Sequence, residues 1–92
     1  MQLTAEISMY PLQTDYEPLI LSFIAELRKN PDIITVTNAM STQIKGPYQT
    51  VWSVLQKAIY DSVAHYGKSV FVVKFIADDL PILEGPNLKI NV

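Results

Sequence analysis

Cysteine is absent from this chain, which excludes disulfide staples, thiolate metal sites and a cysteine nucleophile. Histidine occurs once, at His65, and glycine three times. Charge is scarce as well: charged residues make up 17% of the 92 and leave a net charge of −2. That balance has the wrong sign for a nucleic-acid surface, which needs a basic patch. No apolar run approaches the roughly 20 residues of a membrane helix; the longest before Lys74 is Val70-Phe71-Val72-Val73. Glu6 stands where a signal peptide would have its apolar run, and the start is not basic, so a cytoplasmic protein with no membrane or nucleic-acid partner is expected.

What the chain does have is apolar content, 49% of its residues. Residues 1–92 read as a single small domain, with a core over about 3–77 and an extension over 78–92. A globule of this size buries only about 60–65% of its unfolded surface. A thin core and a sparsely charged surface together suggest that a partner covers part of the molecule.

Residues 3–10 alternate. Leu3, Ala5, Ile7 and Met9 share one side, and Thr4, Glu6, Ser8 and Tyr10 the other, which is a strand with one apolar face. Pro11 ends it. Thr14, Asp15 and Glu17 offer several ways to cap a helix, through a Thr14–Glu17 capping box or Asp15 alone, and Pro18 suits the first turn. Leu19, Ile20, Phe23, Ile24 and Leu27 then keep helical spacing up to Asn30-Pro31-Asp32. Residues 33–37 are β-branched, residues 38–40 turn, and residues 41–45 return as a shorter strand. Pro47 opens a second helix with Val51, Leu55, Ala58, Ile59 and Ser62 on one stripe. Gly67 is placed to end it in a left-handed conformation, with His65 and Lys68 near its negative end. Residues 69–77 form the last strong strand, and Leu88, Ile90 and Val92 alternate as a possible fifth.

The order β-α-β-β-α-β predicts an α+β, ferredoxin-like fold: a four-stranded antiparallel sheet with two helices on one face. If Phe71, Val73 and Phe75 face the helices, then Val70, Val72 and Ile76 face away from them. Such a patch is too apolar to lie open. A second sheet is the simplest cover, so a homodimer or homotetramer packed through its sheets is expected.

No catalytic constellation is visible, and neither a metal nor a cofactor is expected. His65 with Asp61 at i, i+4 reads as a surface pair. Asp78-Asp79 reads as strand-ending charge, because adjacent side chains on a strand point oppositely. The third strand, Ser41-Thr42-Gln43-Ile44-Lys45, has no aromatic on which an RNA base could stack. The turn after strand one, Tyr10-Pro11-Leu12-Gln13-Thr14, has no glycine to cradle a phosphate.

A polar set remains on the open face. With strand one between strands three and four, Glu6, Ser8 and Tyr10 lie beside Ser41, Gln43 and Lys45, with Lys74 on the other side. The ordinary role of Glu6 is a cross-strand ion pair with Lys74 or Lys45. The functional alternative is a carboxylate and hydroxyls lining a cleft that holds a flat, nitrogen-bearing ring.

Ala5-Glu6-Ile7-Ser8-Met9-Tyr10-Pro11-Leu12, followed by Met40-Ser41-Thr42-Gln43-Ile44-Lys45-Gly46 before a helix, resembles the YkoF-like family of thiamine- and hydroxymethylpyrimidine-binding domains. The resemblance implies a ferredoxin-like fold, oligomers packed through their sheets, and a site for the pyrimidine half of thiamine. Carried onto this chain, it puts ligand contacts at Tyr10, Asn38, Ser41 and Thr42. Glu6 would offset the thiazolium charge, and Ser8 lies between these groups. Strict alternation puts Ser41 and Thr42 on opposite faces, so both contribute only through a bulge or a backbone contact. The expectation is a non-enzymatic binder of thiamine or hydroxymethylpyrimidine, in a cleft at a sheet-to-sheet subunit interface. The alternative is an ACT-like regulatory or interaction module for another small metabolite.

Overall fold

A computed structural model describes residues 1–84. Its elements run β1 (Gln2–Pro11), α1 (Glu17–Arg28), β2 (Ile34–Thr37), β3 (Thr42–Pro47), α2 (Tyr48–Tyr66) and β4 (Ser69–Ile76). The strands form one antiparallel sheet in the order β2-β3-β1-β4. This is the ferredoxin-like arrangement expected from the sequence. The possible fifth strand at Leu88, Ile90 and Val92 lies outside the described residues.

Alternation along β1 decides which side is inner. Leu3, Ala5, Ile7 and Met9 are buried beneath Leu19, Phe23 and Leu27 of α1 and Val51, Leu55 and Ala58 of α2. Full burial of one such aliphatic side chain stabilises by about 1.5–3 kcal/mol, so this single layer carries most of the fold. Phe71 and Val73 pack against it from β4. Phe75 also turns to the helix side and stacks on Trp52, ring centroids 4.2 Å apart. Val70, Val72 and Ile76 are exposed on the opposite side. Gly46 permits a close crossing: a Cβ there would come within 2.7 Å of the Asp32 carbonyl oxygen and 2.8 Å of Ile33 Cδ1.

Several local expectations are corrected. Neither Thr14 nor Asp15 caps α1; Tyr16 holds the N-cap position with no side-chain cap, and its carbonyl accepts from the Ile20 amide. The helix begins one residue later than an Asp15 cap would need and two later than a Thr14 cap would. Gly67 does have positive φ, 93°, but its ψ of −162° is extended and not left-handed helical, as suits a residue leading directly into β4. Asp61 pairs with Lys57 at 2.6 Å and not with His65, whose ring lies against Tyr66; the longer lysine reaches the carboxylate from one turn earlier.

The largest departure is on the open face. After β4 the chain turns back across it. Thr4 Oγ1 donates to the Asp78 carbonyl (2.8 Å) and accepts from the Leu80 amide (3.3 Å). Lys45 Nζ donates to Asp79 Oδ1 and to the Leu80 carbonyl, both at 2.8 Å. Thr4, an outward residue by alternation, is therefore buried, and Asp79 is an anchor as well as a strand-ending charge. Residues 78–82 act as a strap over one end of the face.

Candidate ligand-binding site

β1 outruns β3. It pairs with β3 only as far as Ile7 opposite Thr42, but with β4 as far as Pro11 opposite Ser69. Residues 8–11 therefore have no β3 partner, and one edge of this central strand is open. Backbone groups on such an edge retain their demand for partners. The turn over residues 38–41, between β2 and β3, lines the space beside this open edge.

A pocket of about 450 Å³ fills this corner, a size suited to a small molecule. Ile7, Met9 and Phe23 form its base, Ile20 and Ile24 of α1 one wall, and the 38–42 turn the other. Tyr10 and Tyr16, each about half exposed, flank the opening. No charged side chain lines it among the described residues. The lining is thus apolar and aromatic on the helix side and amide- and hydroxyl-bearing along the turn.

Hydrogen bonds fix the turn in detail. Asn38 Oδ1 accepts from the amides of Met40 (2.9 Å) and Ser41 (3.1 Å), and the Asn38 amide donates to the Ser41 carbonyl at 3.0 Å. This is the local side-chain closure that asparagine favours in turns. Ser41 Oγ donates to Glu6 Oε2 at 3.0 Å, and Lys74 Nζ lies 3.3 Å from Glu6 Oε1. The Ser41 hydrogen bond, then the hydrogen bond and charge of Lys74, hold the Glu6 carboxyl below its ordinary pKa. On the inner side, the hydroxyls of Thr37 and Thr42 meet at 3.0 Å.

Of the residues singled out from the sequence, Ser8, Tyr10, Asn38, Ser41 and Thr42 line this one pocket. Ser41 and Thr42 do point to opposite faces, Ser41 toward Glu6 and the buried Thr42 toward the helices. No bulge is needed to bring both to the pocket, because it opens at the first residues of β3, where the sheet edge itself is exposed. Glu6 is not in the lining; its two oxygens are engaged by Ser41 and Lys74. The ordinary ion-pair role considered for Glu6 is therefore present. Tyr16, Ile20, Ile24 and Met40 belong to the site and were not singled out. Only Tyr16, an aromatic between Pro11 and Pro18, gave a signal; the two isoleucines read as core by helical spacing.

Among the described residues, no group of three His, Asp or Glu could hold a metal ion, and no helix is long and apolar enough to cross a membrane. Three solved structures with the same fold are a protein from Streptococcus pneumoniae, a domain of unknown function from Bacillus cereus and a Thermotoga maritima protein. The first is 17% identical, with a TM-score of 0.77 over 87% of this chain and 90% of its own. The second is 18% identical, with a TM-score of 0.71 over 83% of this chain and 75% of its own. The third, provisionally assigned to thiamine biosynthesis or salvage, is 12% identical, with a TM-score of 0.73 over 82% of each chain. At these identities the likeness is one of fold. No match was found among the curated proteins. The model of the YKOF-related family matches residues 2–77, nearly the whole of the described fold, and the chain belongs to that family.

Proposed function

We propose that this protein binds thiamine or its hydroxymethylpyrimidine moiety in the pocket at the end of β1, as a carrier or sensor. The observation that carries the reading is a coincidence of position. Tyr10, Asn38, Ser41 and Thr42, on which the family resemblance puts ligand contacts, all line one small-molecule-sized pocket. The Thermotoga maritima protein of the same fold, with its provisional thiamine assignment, agrees with it.

The lining favours one half of thiamine over the other. A charge buried without a partner is costly, and no charged side chain lines the pocket among the described residues. The neutral pyrimidine therefore enters, and the thiazolium stays at the opening between Tyr10 and Tyr16. Cation–π attraction there contributes about 0.5–2 kcal/mol. Glu6 acts behind Ser41 and does not meet the ligand. Its carboxyl, already stabilised as the anion, is a poor base for activating a serine, so binding and not turnover is the role we assign.

The exposed half of the open face, with Val70, Val72 and Tyr10, is where a second copy would pack, because the strap occupies the other end. Under this reading Tyr10 serves both the pocket opening and the interface between copies. Calorimetric titration with thiamine and with hydroxymethylpyrimidine tests the proposal. Saturable heat is expected, with Tyr10→Ala and Ser41→Ala each weakening affinity about tenfold and Ser41→Ala leaving the oligomer intact. No heat at millimolar ligand, or two variants that bind like the parent, removes it.

A further inference from the structure

Hydroxyl groups ordinarily adapt, donating or accepting as a ligand requires. Ser41 is not free to do so. Its hydrogen is given to Glu6 Oε2 at 3.0 Å, and Glu6 is an obligate acceptor held as a carboxylate with Lys74 on its other oxygen at 3.3 Å. What Ser41 Oγ retains for a ligand is a lone pair. Asn38 is fixed in the opposite sense. Two backbone amides point at one atom of its side-chain amide, and only the oxygen can accept them. What Asn38 retains is the Nδ2 donor. The two residues are bound to each other, Ser41 N to Asn38 Oδ1 at 3.1 Å, and both line the pocket.

We infer that Glu6, through Ser41, makes the pocket lip a paired acceptor and donor that selects heteroaromatic amidines, rings carrying an amino group beside a ring nitrogen, and rejects their oxo counterparts. An amino group donates to Ser41 Oγ while the neighbouring ring nitrogen accepts from Asn38 Nδ2. In the oxo form a carbonyl oxygen replaces the donor and the adjacent nitrogen carries hydrogen. Acceptor then faces acceptor and donor faces donor. The inference rests on the pyrimidine-binding reading above and adds the edge by which the ring is read. Glu6 is in this scheme a positioning residue that sets the polarity of a hydroxyl without touching the ligand.

The polarity can be inverted by one substitution. In Glu6→Gln the lysine still prefers an oxygen, so the side-chain amide turns its nitrogen toward Ser41. Ser41 Oγ then accepts from Gln, and its own hydrogen is released toward the pocket. The test is calorimetric titration of the full chain with hydroxymethylpyrimidine and with its oxo counterpart, for the parent, Glu6→Gln and Ser41→Ala. For the parent, a preference of roughly tenfold to a hundredfold for the amino compound is expected, the usual net worth of the two hydrogen bonds that the oxo compound cannot make. Glu6→Gln is expected to lose or reverse that preference, and Ser41→Ala to reduce it, chiefly by weakening the amino compound.

A parent that binds both compounds equally, or a Glu6→Gln protein that keeps the parent's preference, overturns the inference and leaves pyrimidine binding standing. If Glu6→Gln does not fold, Ser41→Ala decides: an unchanged preference overturns the inference, a reduced one supports it. A parent that binds neither compound removes the functional reading and the inference together.

Discussion

The two ends of the sheet use the same kinds of side chain for opposite ends. At the strap end, Thr4 and Lys45 meet the returning chain, and every bond described there closes onto protein: Thr4 both gives and accepts, and Lys45 is held twice. At the other end, Ser41 bonds to both Asn38 and Glu6, and Thr42 to Thr37, but beside a cavity. The difference originates in register. β3 meets β1 fully from Gln2 opposite Pro47 onward, and stops short at Ile7, while β4 continues to Pro11. Polar groups beside a complete ladder serve to anchor chain. Polar groups beside a truncated one are left shaping a space.

That contrast can be broken from either side. The largest effect is expected at the anchored end, from Gly46→Ala. The added carbon meets the Asp32 carbonyl at 2.7 Å, which is backbone and cannot turn aside, so a loss of about 1–3 kcal/mol in unfolding free energy is expected from overpacking. Urea denaturation checks it, and an unchanged midpoint would mean that the crossing relaxes freely. Ligand affinity of the folded variant should match the parent, since Gly46 lies outside the pocket lining.

Thr4→Val is expected to come next, at about 1–2 kcal/mol. It removes a donor and an acceptor together and leaves the Leu80 amide and the Asp78 carbonyl without their partner. Hydrogen exchange should show faster exchange of the Leu80 amide in this variant and an unaltered turn at residues 38–41. Equal protection in parent and variant would mean that the strap is held by something other than Thr4.

The smallest effect sharpens the other side. The folded pKa of Glu6 is depressed by Ser41 and Lys74. The stabilisation it provides is therefore present above the ordinary glutamate pKa and is lost as pH falls through the depressed folded value. Because the side chain is 39% exposed, solvent screens the pair and the effect on global stability is small. The expected signature is local: amide shifts of Ser41 that titrate in acid in the parent and not in Glu6→Gln. A flat Ser41 titration in the parent would show that the turn does not depend on Glu6.

Much of this could be read from the chain. Alternation over Leu3, Ala5, Ile7 and Met9, helical spacing from Leu19 to Leu27 and the turn at residues 38–40 are short-range patterns, and each became the element it implied. The polar members of the pocket were legible too, because Asn38, Ser41 and Thr42 sit where two apolar strands leave a polar interval. The apolar wall was not. Ile20 and Ile24 have the spacing of core residues, and whether they meet a strand or a cavity depends on where β3 stops pairing with β1. That is a relation between residues far apart in sequence. The strap was hidden for a related reason: Asp79 looks like any strand-ending charge until Lys45 is placed beside it.

The central claim is that the ligand enters the corner left by the truncated ladder and not the strapped face. Amide chemical-shift mapping with hydroxymethylpyrimidine tests it most directly. Shifts are expected to cluster at Tyr10, Tyr16, Ile20 and residues 38–42. Shifts confined to Thr4, Gln43, Lys74 and Leu80, across the strapped half of the open face, would contradict it.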